Sequence, residues 1–505
     1  MESYLLLLVF ASTGTLASSL SSTQHKTHPN ILFILADDMG QWAAGCYGNY
    51  EIYTPNIDKL ASEGVRFTDA FCNTPVCSAS RATYFTGRLP SQHGIHDWLS
   101  GGNGCAQEAD DYMLEETFYT DVLSAHGYQC AISGKYHLGD QQVPQHSFQH
   151  WFVHQKGGAD YNDPPMVKNG ECVHIKGYVT DIITNDAIDF LLNEWNKTAP
   201  FYLSVHYTAP HSPYTGADGR ADSEHPKAFV DLYQNCSFHT LPQEPKNPYA
   251  QHTSTFTDYC LGNRQCLLGY FAAMTAMDLN IGRILQTVKD MGIDEDTLVV
   301  FASDHGFNAG QHGLWGKGNS AYPLNMFDTS LKIPLIFRHK NTIKPKVKSS
   351  VVQVIDIAPT LLEYSGNFTF PHRANIPGHS FASLLTSAST DKLPWATEGT
   401  IFGEYGQVRS ARSANFKYVS RFTNQVELYD LVNDPKETKN LAANVSSLPV
   451  LHTHEYALKD FFSFYEDPFV SGWHFPVTGQ GQIHPVLYNT SGESTKPAFT
   501  KLQYI

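Results

Sequence analysis

Ile31-Leu32-Phe33-Ile34-Leu35-Ala36-Asp37-Asp38 is a run of six apolar residues that stops abruptly at two carboxylates. Six residues is strand length, and an apolar run without alternation suits a strand buried on both faces. Residues 129–133, 201–206 and 297–302 repeat the construction. Just beyond them stand Lys135 and His137, then His211, then Asp304 and His305. Between the last two runs, Leu267, Phe271, Met274, Met277, Ile281, Ile284, Leu285 and Val288 recur at helical spacing over 266–291, a helix that Gly282 would loosen. Strands alternating with helices predict an α/β fold with a large, mostly parallel sheet flanked by helices. Ligands of such sheets bind outside the carboxyl ends of the strands, so the polar residues after the four runs would converge there.

The pattern changes after residue 390. Residues 400–404, 416–421 and 426–429 read as short strands, with Asp434-Pro435 as a turn and the Ser/Thr-rich 386–391 as a linker. The expected organisation is a catalytic domain over 28–390 and a smaller C-terminal α+β domain over 391–505 containing an antiparallel sheet.

With 505 residues, 42% of them hydrophobic, the chain can bury a large core. Its net charge of -15 repels a phosphate backbone, which argues against nucleic acid as a partner; an anionic substrate needs a local cluster of cations. Residues 1–19 carry the apolar run 4–11 followed by small and polar residues, the pattern of a cleaved signal peptide, and too short to anchor the chain in a bilayer. Glycosylation sequons at Asn196, Asn235, Asn367, Asn444 and Asn489 agree with export to an extracellular or lysosome-like compartment. Nine cysteines leave one thiol over; with Cys77 set aside for chemistry, eight remain for up to four disulfides, and Cys260 and Cys266 are close enough for a local loop.

The segment Cys77-Ser78-Ala79-Ser80-Arg81-Ala82-Thr83-Tyr84-Phe85-Thr86-Gly87-Arg88 carries the chemistry. A short helix over 78–85 stopped by Gly87 places Cys77 at a helix N-terminus, where free N–H groups and the dipole favour an anion. Asp37, Asp38 and Asp304 would meet in one cleft, each like-charge pair costing about 4 kcal/mol at ~4 Å and an effective dielectric near 20. That cluster calls for a cation: a hard, oxygen-rich site suits one Ca²⁺, with Mg²⁺ as the alternative.

The Cys77 segment resembles the signature of the type I sulfatases, Cys-x-Pro/Ala-Ser/Thr-Arg followed by Thr-Gly-Arg, with Ala79 where Pro is commoner. Ser303-Asp304-His305-Gly306 through Lys317, Gly134-Lys135-Tyr136-His137-Leu138-Gly139, Pro210-His211-Ser212-Pro213 and Glu427-Leu428-Tyr429-Asp430-Leu431 resemble further segments of that family, over about residues 29–444. The resemblance implies an alkaline phosphatase-like fold, and conversion of Cys77 to formylglycine by a formylglycine-generating enzyme. It implies Ca²⁺ held by Asp37, Asp38, Asp304, His305 and residue 77. Lys135, Lys317 and Arg81 would supply positive charge. His211 would protonate the leaving oxygen, with Asp304 as base for attack and His137 for sulfate elimination.

The implied reaction is hydrolysis of a sulfate ester, of a carbohydrate (a glycosaminoglycan or other sulfated saccharide) or of an aryl sulfate. Gln92, His93, His96, Asp97 and Trp98 follow the signature and either line the substrate pocket or pack locally. A phosphatase or phosphonate hydrolase of the same superfamily is the nearest alternative, and a non-catalytic glycan-binding protein a more distant one.

Overall fold

The structure is a computed structural model that describes residues 28–100, 110–158, 160–251, 259–371, 375–386, 400–486 and 498–499. The leader at 1–19, Asn489 and the boundary at 390/391 lie outside the described residues. A ten-stranded sheet forms the body. Its strands are β1 (Asn30–Ala36), β2 (Val65–Phe67), β3 (Gln129–Gly134), β4 (Phe148–His154), β5 (Pro165–Lys168), β6 (Glu171–His174), β7 (Phe201–His206), β8 (Thr297–Ser303), β9 (Leu335–His339) and β10 (Lys346–Lys348). They lie in the order β10-β2-β9-β8-β1-β7-β3-β4-β5-β6. The centre, β8-β1-β7-β3-β4, is parallel, while β9 and β5 join it antiparallel on either side.

Both faces of β1 are covered, which is why its sequence is apolar throughout. Ile31, Phe33 and Leu35 pack with helices α1 (Cys77–Thr86), α2 (Tyr119–Ala125) and α3 (Ile357–Gly366). Leu32, Ile34 and Ala36 pack with Pro55–Glu63, Val179–Asp189 and Arg264–Asp290. The Arg264–Asp290 helix runs unbroken through Gly282. That glycine serves close approach instead: a Cβ there would stand 2.6 Å from Asn56 Oδ1 of the neighbouring helix.

The smaller sheet is antiparallel, in the order Ile401–Tyr405, Val408–Arg412, Phe416–Arg421, Val426–Asp430, covered by helix Leu448–Tyr465. Val408–Arg412 escapes a reading of the sequence because Arg409, Ser410 and Arg412 interrupt its apolar character, yet all three are buried. Arg409 pairs with Glu466 at 2.6 Å and Arg412 with Asp328 at 2.9 Å, so their charges are answered.

The Cys260–Cys266 loop forms as expected, but more than one thiol is left over. Cys260 and Cys266 are joined, and Cys172 is also disulfide-bonded, but Cys46, Cys72, Cys130 and Cys236 are free along with Cys77. Cys72 and Cys130 sit in the core as small apolar side chains, where burial raises their thiols far above the usual range.

Candidate active site

Four polypeptide segments leave the central strands side by side, and backbone hydrogen bonds carry the register past the strand ends. Asp37 donates to the Ala209 carbonyl at 3.2 Å, Asp304 to Ala36 at 3.1 Å and Lys135 to His206 at 2.9 Å. Asp37, Asp38, Lys135, His137, His211, Asp304 and His305 therefore do meet, as the strand-end argument requires.

Cys77 opens α1 beneath them. Val76 is extended at the helix start, and Gly87 closes the helix in the left-handed region at φ 67°, donating to the Thr83 carbonyl. The helix covers Cys77–Thr86, one residue longer at each end than expected. The Asp37 and Asp38 carboxylates, the Cys77 sulfur and the His305 imidazole each offer an atom within 4.8 Å of the others. His305 Nδ1 is 2.8 Å from the Gly306 carbonyl, which makes it the donor and turns Nε2 inward as a lone pair, 3.3 Å from Asp38 Oδ1. Asp304 stands at the edge of the group: its Oδ1 accepts from the Asp38 and His305 N–H groups and lies 3.5 Å from His305 Nε2, while Oδ2 faces Arg81.

Three buried atoms aimed at this point, Asp37 Oδ1, Asp38 Oδ2 and His305 Nε2, have no hydrogen-bond partner. Unsatisfied buried acceptors are costly, and a cation answers all three at once. The mixture of carboxylate oxygens with one imidazole fits a divalent ion.

Cations close the site. Arg81, wholly buried, donates from Nε to Asp304 Oδ2 at 3.1 Å and from Nη1 to the Lys135 carbonyl at 2.9 Å, and its Nη2 stands 3.0 Å from Asp304 Oδ2 as an ion pair without a hydrogen bond. Lys135 Nζ pairs with Asp37 Oδ2, and Lys317 Nζ pairs with Asp38 Oδ1 and lies 2.7 Å from Cys77 Sγ. Burial would raise the Cys77 thiol, but Lys135 and Lys317 hold it well below its ordinary value. Burial likewise opposes ionisation of Asp37, yet Lys135 keeps that carboxyl below the usual range. Asp304, despite Arg81, is pushed up to about 7 by burial, with Asp37 adding to the effect.

The two remaining imidazoles have assigned faces. His137 is within 2.9 Å of the Leu99 carbonyl through Nε2, leaving Nδ1 as an unsatisfied acceptor. His211 Nδ1 lies 2.8 Å from the Ser212 carbonyl, and its Nε2 is 3.8 Å from Asp38 Oδ2. Burial lowers His211, but Asp38 and Asp37 outweigh it and raise its pKa.

His93, His96 and Asp97 are held by hydrogen bonds within the fold. His93 sits between Thr83 Oγ1 and the Ile95 N–H, His96 reaches the Val470 carbonyl at 2.6 Å, and Asp97 accepts from Tyr405 Oη and the Gly481 N–H. Gln92 bonds Asn375, and Trp98 donates to Gly479. Two residues that the sequence did not single out support the site. His206 sits 3.3 Å from Arg81 and bonds Ser204, and Gly157 packs so closely on His137 that a Cβ would stand 1.8 Å from Nε2. His206 ends a strand, which was a usable signal; Gly157 left none.

The profile of the sulfatase family matches residues 29–367, two thirds of the chain. This chain belongs to the sulfatase family. A second profile, that of the N-sulphoglucosamine sulphohydrolase C-terminal region, matches residues 310–462 of this sulfatase. It is 28% identical over 508 residues to an N-acetylglucosamine-6-O-sulfatase of Bacteroides thetaiotaomicron, covering 86% of each chain. It is 28% identical over 453 residues to a choline-sulfatase of Rhizobium meliloti, covering 82% of this chain and 83% of that one. Among solved structures, a protein in complex with its substrate D-glucosamine-2-N,6-O-disulfate superposes with a TM-score of 0.71 at 25% identity, over 87% of this chain and 98% of the other. The enzyme is a sulfuric ester hydrolase, and its sheet architecture is that of these relatives. Among the described residues no helix is long and apolar enough to cross a membrane.

Proposed function

We propose that this sulfatase removes sulfate from a carbohydrate, with residue 77 as formylglycine and Ca²⁺ held by Asp37, Asp38, Asp304 and His305. The observation that carries the reading is a nucleophile position at a helix N-terminus, set among carboxylates with unsatisfied buried atoms and faced by Lys317. Bound Ca²⁺ supplies a Lewis acid for a sulfate oxygen, and tolerates an irregular ligand set better than Mg²⁺. The relative named an N-acetylglucosamine-6-O-sulfatase and the superposing structure whose substrate is D-glucosamine-2-N,6-O-disulfate favour a saccharide over an aryl sulfate.

The protein's own groups would do the rest. Lys135, Lys317 and the α1 N-terminus balance the sulfate charge, and Arg81 fixes Asp304 and the first turn of α1. One hydroxyl of the residue 77 hydrate attacks sulfur, giving its proton to Asp304. The sulfur–oxygen bond to the sugar breaks, and the sugar oxygen takes a proton from His211. The second hydroxyl then yields its proton to His137 Nδ1; its electron pair closes the aldehyde C=O, the C–O bond to sulfate breaks, and water restores the hydrate.

Maturation calls for a formylglycine-generating enzyme and export. Asn196, Asn235, Asn367 and Asn444 are all exposed, which supports glycosylation in a secretory route to an extracellular or lysosome-like compartment. The test is sulfate release by protein co-expressed with the maturation enzyme, against sulfated saccharides, an aryl sulfate and the matching phosphate esters, with mass spectrometry of the residue 77 peptide. Cys77→Ser should abolish turnover and leave folding intact. Substantial sulfate release by that variant, or faster cleavage of the phosphate esters, overturns the reading.

A further inference from the structure

The catalytic groups are graded in depth. Asp37, Asp38, Lys135, Asp304 and His305 are fully buried, Cys77, Lys317 and His137 nearly so, and His211 is the most exposed at 6%. His211 therefore marks the side on which the site lies nearest the surface. A cavity of about 680 Å³ opens there, with His211 in its wall, a volume within the usual range for a small-molecule site. If His211 protonates the departing oxygen, the group attached to that oxygen must lie on this side.

The wall opposite is the loop after β4. Gly157 seats the loop on His137, and a Cβ at Gly158 would be 3.7 Å from His211, so the glycines let the backbone lie against both imidazoles. The same loop places Lys156, exposed and with no ion pair among the described residues, on the cavity wall. His174 at the end of β6 adds a donor, Asp160 an acceptor for hydroxyls, and half-exposed Tyr259 a flat apolar face. Tyr259 is anchored next to the Cys260–Cys266 disulfide, which ties it to the Arg264–Asp290 helix.

We propose that this cavity seats the leaving-group sugar and that Lys156, with His174, selects substrates carrying a second anionic group, a carboxylate or another sulfate, on that sugar. The inference rests on the saccharide-sulfatase reading and narrows it. A cationic leaving group such as choline meets Lys156 as a like charge, so it is disfavoured. Asp160 is a carboxylate in the same wall, which confines the anion's place to the Lys156 and His174 side.

Binding separates this proposal from the turnover reading. In the Cys77→Ser protein, affinities for hexosamines and galactoses bearing one or two sulfates are measured by calorimetry in Ca²⁺ buffer. A disulfated member should bind tighter than its monosulfated counterpart by roughly tenfold, the scale of one charge-assisted hydrogen bond. Adding Lys156→Ala should erase that preference, Lys156→Arg should retain it, and Lys289→Ala, on another face, should leave it unchanged. Equal affinity for mono- and disulfated sugars, or a preference that survives Lys156→Ala, overturns the proposal whether or not the matured enzyme releases sulfate. Absence of sulfate release with the preference intact refutes the catalytic reading alone.

Discussion

Asp328→Asn tests what docks the C-terminal sheet onto the catalytic body. Asp328 receives Arg412 through Nε at 3.0 Å and Nη2 at 2.9 Å, and Lys417 Nζ at 2.8 Å; Lys417 also donates to the Met326 carbonyl at 2.7 Å and pairs with Glu437. Lys417 is fully buried and Arg412 nearly so, stacked 4.4 Å from the Phe71 ring. Burial opposes the charge on Asp328, but Lys417 and Arg412 hold its carboxyl far below the usual range. Each contact is worth about 6 kcal/mol of gross attraction at an effective dielectric near 20, most of it offset by desolvation. Removing one partner of such a buried group typically costs ~3–5 kcal/mol, because the remaining charges cannot regain water. Asn keeps the shape and one acceptor, and Glu437 still faces Lys417, so about 3 kcal/mol is expected. Since unfolding entropy runs near 2 cal/mol/K per residue, that corresponds to a melting point lower by ~3 °C if the chain unfolds as one unit, and by more if the C-terminal sheet leaves separately. Scanning calorimetry with urea titration reads both. Asp222→Asn, which breaks an exposed pair with Arg220, serves as a control with no resolvable shift. A change for Asp328→Asn as small as the control's would show that the network does not hold the two sheets together.

Two further expectations concern charge. Ca²⁺ at a hundred times its dissociation constant should stabilise the protein by ~2.7 kcal/mol, and Asp38→Asn should remove the response; a melting point indifferent to chelator and Ca²⁺ would contradict the cation site. His150 is buried between Asp186 at 2.8 Å and Glu194 at 2.6 Å; burial lowers its pKa, but Asp186 and Glu194 outweigh that and raise it. The folded state therefore keeps a proton that the unfolded chain loses near pH 6.5. Stability should be full below that pH and decline as pH rises through the folded value, by at most ~1.4 kcal/mol per unit, and His150→Gln should flatten the decline. A urea midpoint independent of pH from 6 to 8.5 in the parent protein would refute it.

Much of the site was legible because its residues sit at the ends of runs with a local signature. A strand buried on both faces must be apolar until it leaves the core, so the first polar residues after Ala36, Ala302 and His206 mark where the sheet opens to ligand. Cys77 could be placed at a helix start because Gly87 ends that helix by a rule of local backbone geometry. His96 and Asp97 could not be resolved: nothing local distinguishes a pocket wall from a polar side chain bonded to Val470 or Tyr405, some three hundred residues away or more. The strand Val408–Arg412 was hidden for the same reason, its arginines being paid for by acids elsewhere in the chain.

The sequence by itself determined the central strands, the helix that opens at Cys77 and the polar residues that meet beyond the strand ends, since each follows from periodicity, a capping residue or a short motif. Only the tertiary structure decided which atom of each residue faces the group that could hold a metal, that Asp304 is turned to Arg81, that four cysteines besides Cys77 are free among the described residues, and that Gly158 and Lys156 line the cavity beside His211. Those are consequences of burial and of contacts between distant segments, and the physical forces that set them act between surfaces that do not exist until the chain has folded.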